Sequence, residues 1–204
     1  MKSVDIETPH GLGRAHLRVA DGARAALVLG HGAGGGVESR DLVAATEAAL
    51  EQGVTVALFE QPYKVAGRRS PAPARQLDAA WIAAIDHLRA GDLNGLPLVV
   101  GGRSLGARVA CRTAGEVGAI AVLCLAFPLH APGKGDDPKA SRLEELDRVK
   151  VPTLVVQGER DPFGMPPPGR NRNVVKVPGD HGLKADLEAV GEAIRTWLPT
   201  VLKR

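Results

Sequence analysis

The sequence predicts an α/β fold, a mostly parallel central sheet with helices on both faces, and three observations predict it. Runs of Val, Leu and Ile bounded by Gly, Pro or Asp recur along the chain without the polar alternation of a half-exposed strand. Segments with apolar residues three and four apart alternate with those runs, as helices crossing over a parallel sheet require. The 204 residues suffice for one substantial core but not two, so residues 1–204 are read as a single domain.

Taken in order, residues 4–7 and 15–19 alternate polar with apolar and suit an antiparallel edge. Inner strands are expected at 25–29, 55–59, 98–101, 119–125, 153–157 and 174–177. The first helix follows Ser39, sets Leu42, Ala45, Ala49 and Leu50 on one stripe, and stops at Gly53. A second carries Leu77, Trp81, Ala84 and Leu88 ahead of Gly91, and a third begins at Ser104. The last places Leu183, Leu187, Val190, Ile194 and Trp197 or Leu198 on one face. Residues 63–73, 131–140 and 162–173 are expected as surface loops, the last because Pro166, Pro167 and Pro168 exclude a long helix.

Apolar residues at 44% and charged residues at 24% are ordinary for a globular domain and argue against disorder. The net charge of +3 comes from 26 basic and 23 acidic side chains spread along the chain, and aromatic residues are only 3%, so nucleic-acid binding is not expected. Residues 1–9 carry Asp5 and Glu7 and lack the apolar centre of a secretory signal. The longest apolar run, 119–127, is far short of the ~20 residues that span a bilayer, so a cytoplasmic protein with no membrane partner is expected. Cys111 and Cys124 lie in apolar stretches and read as buried, reduced thiols.

The strongest chemical signal is Leu98-Val-Val-Gly-Gly-Arg-Ser-Leu-Gly-Ala-Arg-Val-Ala110, an apolar strand, then Gly102-Arg-Ser-Leu-Gly106, then a helical segment. This is G-x-S-x-G in the context it needs, a turn so sharp that the positions two away from the serine must lack side chains. Ser104 is thereby exposed at a helix N-terminus, which favours developing negative charge. A hydroxyl is a weak nucleophile, so a base and an orienting acid must follow at later strand exits. Asp161 leaves the strand at 153–157, with Glu159 in reserve, and His181 leaves the strand at 174–177. Of the other histidines, His10 and His16 sit in the edge region, His87 on a helix, and His31 in a glycine turn it is expected to brace; His130 is the serious competitor. Acyl transfer also needs backbone N–H donors for an oxyanion. Leu105 follows the nucleophile, and the turn Gly30-His-Gly-Ala-Gly-Gly-Gly36 offers Ala33, with Gly34 next. Gly34, Tyr63, Arg68 and Arg69 are candidates to line a substrate site, the two arginines equally readable as a basic surface loop.

The same glycines also satisfy G-x-G-x-x-G, with Glu60 at the end of the next strand where a ribose-binding acid could sit. That oxidoreductase reading leaves Ser104, Asp161 and His181 without a role, and two candidate strands precede the turn although such a fingerprint usually opens the sheet. No cofactor and no metal are expected.

Together, His31-Gly-Ala-Gly-Gly35, Pro62-Tyr63, Gly101-Gly-Arg-Ser-Leu-Gly106, Val156-Gln-Gly-Glu-Arg-Asp-Pro-Phe-Gly164 and Gly179-Asp-His-Gly182 resemble the α/β-hydrolase superfamily over nearly the whole chain. The resemblance is to small dienelactone-hydrolase-like members and a subgroup that includes a testis-expressed protein and is related to a subunit of a chromatin acetyltransferase complex. It implies an α/β-hydrolase fold without the usual cap, Ser104, Asp161 and His181 as a triad, and Ala33 with Leu105 as the oxyanion hole. It further implies hydrolysis of a small ester or thioester, or else a non-catalytic scaffold used as an interaction module. Dienelactone hydrolases use a cysteine nucleophile where this chain has Ser104, so their particular reaction does not carry over.

Overall fold

A computed structural model describes residues 2–131, 133–135 and 137–203. An antiparallel hairpin, β1 (Lys2–Thr8) and β2 (Gly11–Arg18), leads into β3 (Ala25–Gly30), β4 (Val54–Glu60), β5 (Leu98–Arg103), β6 (Ala121–Leu125), β7 (Thr153–Gly158) and β8 (Arg172–Val177). They form one eight-stranded sheet in the order β1-β2-β4-β3-β5-β6-β7-β8. From β4 to β8 every pairing is parallel. This is the mostly parallel α/β sheet expected, and its order differs from the 3-2-1-4-5-6 arrangement of dinucleotide folds.

The inner strands are apolar throughout because both faces are covered. In β3, Ala26 and Val28 join one core with Trp81, Ile85 and Leu88, whereas Ala25, Leu27 and Leu29 join another with Leu42, Ala45 and Ile194. Helices α3 (Ala74–Ala90) and α4 (Leu105–Thr113) supply the first layer, and α1 (Arg40–Glu51) and α6 (Leu187–Leu202) the second. Side chains such as Trp81 and Phe59, fully enclosed, each contribute roughly 2–3 kcal/mol by leaving water.

Four details differ from the sequence expectation. Leu183 is buried but stands outside the last helix, with φ of 48°, because Asp186 caps α6 by accepting from the Ala189 amide at 2.9 Å. The loop expected from 63 begins inside a short helix, α2 (Pro62–Val65), which Pro62 starts at a position where its missing N–H costs nothing. The loop expected at 131–140 includes a 3-10 turn at Pro138–Ala140, while positions 132 and 136 lie outside the described residues. A further one-turn helix, α5 (Leu143–Asp147), was not legible because only Leu146 is buried on it. Between β7 and β8 the described chain has no helix, as the prolines require.

Candidate active site

Parallel strands share a direction, so the residues leaving β3, β5, β7 and β8 emerge along one edge of the sheet. Ser104 sits between β5 and α4 with φ 52° and ψ −105°, a conformation that costs a non-glycine residue roughly 1–3 kcal/mol. Its flanks show why glycine is required. A Cβ on Gly102 would stand 2.5 Å from the Gly30 carbonyl oxygen, and one on Gly106 would run into the same carbonyl. The helix therefore presses onto β3 at closest approach, and the turn between is fixed.

His181 follows β8, and its Nε2 lies 2.9 Å from the Ser104 Oγ. Its Nδ1 lies 2.8 Å from the Asp161 Oδ2. A carboxylate can only accept, so Nδ1 carries the proton and Nε2 is left to accept from the serine hydroxyl. The Asp161 side chain is fully enclosed, and its Oδ1 accepts from the Phe163 amide at 2.9 Å. The three sequence candidates thus meet, although 77 residues separate Ser104 from His181. Glu159 is exposed and drops out as the alternative acid. His130 binds the Ala131 carbonyl oxygen at 2.9 Å through Nδ1 and packs over Gly164, so it is occupied elsewhere.

The glycine turn faces this array, since a Cβ on Gly32 would sit 3.7 Å from the Ser104 Cβ. His31 is buried, donates from Nδ1 to the Gly32 carbonyl at 2.8 Å, and accepts at Nε2 from the Gln61 amide at 3.1 Å. Burial holds this imidazole below its ordinary pKa, so it stays neutral and braces the loop as expected. The Gly35 amide also bonds to the Gly32 carbonyl, at 3.3 Å. In a trans peptide C=O and N–H point oppositely, so anchoring this oxygen fixes the direction of the Ala33 N–H. Tyr63 is buried and its hydroxyl donates to the Ala33 carbonyl at 3.1 Å, which fixes the next peptide, that of the Gly34 N–H. Leu105 opens α4, where a first-turn N–H has no partner inside the helix. Ala33 is partly exposed and Gly34 exposed, so this loop meets solvent at the site.

Three neighbours were not found from sequence. Gln157, fully buried at the end of β7, shares its Nε2 between Asp161 Oδ2 at 2.8 Å, the Gly164 carbonyl at 2.9 Å and the Phe127 carbonyl at 3.0 Å. Its signal was available: a polar residue ending an otherwise apolar strand must find partners. Arg103, between the elbow glycine and the serine, pairs through Nε with the buried Asp41 at 2.8 Å and donates from Nη2 to the His181 carbonyl at 3.1 Å. The Phe163 ring lies 4.2 Å from the His181 ring, centre to centre, and covers it. Nothing in the sequence pattern marks Arg103 or Phe163, because their partners come from distant segments. For the rival reading, Glu60 is bound by His16 at 2.9 Å.

Among the described residues no cluster of His, Cys, Asp or Glu is arranged to hold a metal ion, and no helix is long and apolar enough to cross a membrane. Cys111 and Cys124 are buried, unbridged thiols with sulfurs 3.5 Å apart.

Residues 23–185 match a family model described as an alpha/beta hydrolase domain. No curated protein matches the sequence. Among solved structures, Est1E from Butyrivibrio proteoclasticus superposes with a TM-score of 0.78 at 18% identity, covering 99% of each chain. A dienelactone hydrolase from Anabaena variabilis gives 0.77 at 19%, covering 98% of this chain and 96% of its own. XC6422 from Xanthomonas campestris, described as a serine hydrolase without a lid, gives 0.75 at 19%, covering 97% of this chain and 95% of its own. At these identities the likeness is one of fold.

Proposed function

The chain belongs to the alpha/beta hydrolase family, and from that premise we propose that it is a serine hydrolase that cleaves small esters or thioesters through an acyl-enzyme on Ser104. One observation carries the reading: the unbroken chain of hydrogen bonds from the Ser104 hydroxyl through His181 to Asp161. The hydroxyl oxygen attacks the carbonyl carbon while His181 Nε2 takes its proton, and Asp161 stabilises the imidazolium without taking that proton itself. The oxyanion that forms is held by the N–H groups of Leu105 and Ala33, with Gly34 beside them. His181 then protonates the leaving alcohol or thiol, and water attacks the acyl-serine in the second half.

Support for the donor pair comes from the anchored Gly32 carbonyl, which directs the Ala33 N–H, and from the turn conformation that exposes Ser104. Tyr63, a candidate substrate contact, acts in this scheme by holding the Ala33 carbonyl. Between β6 and β7, where a cap would be inserted, the described chain has only a 3-10 turn and α5. The site is therefore open, which suits short-chain acyl groups. The fold neighbours described as esterases are consistent with this class.

The decisive experiment is labelling with a fluorophosphonate. Covalent modification is expected on Ser104, lost in Ser104→Ala and reduced at least a hundredfold in rate in His181→Ala, with parallel loss of 4-nitrophenyl acetate hydrolysis. A properly folded protein that takes up no label would instead be a scaffold for protein partners.

A further inference from the structure

Beside the glycine turn lies a hollow of about 450 Å³ whose wall is made by Gly34 on one side and Lys64, Gly67, Arg68 and Arg69 on the other. We propose that this hollow receives an anionic group, a carboxylate or a phosphate, on the far end of the ester substrate; the inference rests on the hydrolase reading above.

Four observations carry it. First, the cations are unspent: among the described residues none of the three has a carboxylate within 4.0 Å, whereas Arg103, Arg108, Arg112 and Arg172 are all paired. Three like charges gathered on one rim repel each other, and an anion relieves that repulsion.

Second, their segment is held. The Gly67 amide bonds to the Lys64 carbonyl at 2.9 Å and the Arg68 amide to the Tyr63 carbonyl at 2.9 Å, with Gly67 at φ 70°. That pair of bonds is the Schellman closure of a helix end, and it fixes the direction in which Arg68 leaves α2. Tyr63, in the same helix, is tied to Ala33, so the cationic rim and the proposed oxyanion donor are one mechanical unit.

Third, the opposite wall is open, for a Cβ on Gly34 would meet nothing within 4 Å. Fourth, the distance suits one substrate. Gly32 abuts Ser104, and Gly34 is two residues on, at most ~7 Å of backbone further, so the hollow opens roughly 10 Å from the nucleophile. A carbonyl at Ser104 and an anion separated from it by a short aliphatic chain fit both ends. Arginine forks suit either carboxylate or phosphate.

The test compares 4-nitrophenyl hemisuberate with 4-nitrophenyl octanoate, of equal length and differing only in the terminal carboxylate. The wild type is expected to favour the hemisuberate by about tenfold in kcat/KM at low ionic strength, about 1.4 kcal/mol, with the preference shrinking as salt is added. In Lys64→Gln/Arg68→Gln/Arg69→Gln the ratio of the two is expected to fall towards one. An equal ratio in both proteins overturns the proposal. A calorimetric arm uses the Ser104→Ala protein with heptanoate and with hexyl phosphate, so that binding is read without turnover. Binding abolished by the triple substitution upholds the hollow and its tighter ligand identifies the group; no binding of either anion overturns it. Failure of the hydrolase reading shows separately, as absence of fluorophosphonate label on Ser104.

Discussion

Gln157 shows how much of this site's geometry is held by a fully buried residue. Its amide nitrogen shares two N–H donors among Asp161 and two main-chain carbonyls, so it holds both the carboxylate and the loop behind it. Gln157→Leu keeps the volume, removes every donor, and leaves buried acceptors unpaired. Its kcat is expected to fall about tenfold or more with a smaller change in KM, and its unfolding free energy by about 2 kcal/mol, read by steady-state kinetics and urea titration. Unchanged kcat in a stable protein would show that Asp161 is held without it. Tyr63 acts at the same scale on the glycine turn, because its hydroxyl on the Ala33 carbonyl fixes the peptide that carries the Gly34 N–H.

At the scale of the element, the strand-turn-helix of β5 and α4 shows how backbone shape presents Ser104 at the sheet edge. Ser104 is held at φ 52° because α4 is pressed onto β3, and that contact exists only while Gly102 and Gly106 have no side chain. Gly106→Ala places a methyl against the Gly30 carbonyl, and a loss of about 3 kcal/mol or more is expected by urea denaturation. Gly35→Ala, with nothing within 4 Å of the new methyl, is expected to change stability by less than about 0.5 kcal/mol. Equal effects at the two sites would contradict the close approach. The last helix teaches the opposite lesson about sequence. Leu183 has the right spacing for its stripe, but Asp186 competes for the first free amides of α6 and starts the helix later.

For the whole molecule, two buried titratable groups beside the glycine turn contribute to the way stability varies with pH. His31 is held below its ordinary value of 6.5 by burial, so below pH 6.5 the unfolded chain takes up a proton that the folded chain refuses, and stability falls as pH drops. Tyr63 is pushed from 10.0 up to about 12 by burial, so between pH 10 and 12 the unfolded chain loses a proton that the folded chain keeps, and stability falls as pH rises. Tyr63→Phe is expected to flatten the alkaline limb by about 2–3 kcal/mol, measured as the urea midpoint against pH. An alkaline slope identical to the wild type would remove Tyr63 as its cause.

The sequence by itself determined the mostly parallel sheet, an antiparallel edge, four of the helices and their order among the strands, and Ser104, Asp161 and His181 as candidates at strand exits. It could do so because apolar periodicity, glycine at a sharp turn and residues leaving successive strands are local patterns, readable within a few positions. Only the tertiary structure decided that Glu159 and His130 stand aside, that Gln157, Arg103 and Phe163 surround the histidine and its acid, and that Tyr63 is tied to the turn beside Ser104. Those contacts join segments brought together by the crossing of strands, and a hydrogen bond between residues 30 or 78 positions apart leaves no spacing in the chain from which it could be inferred.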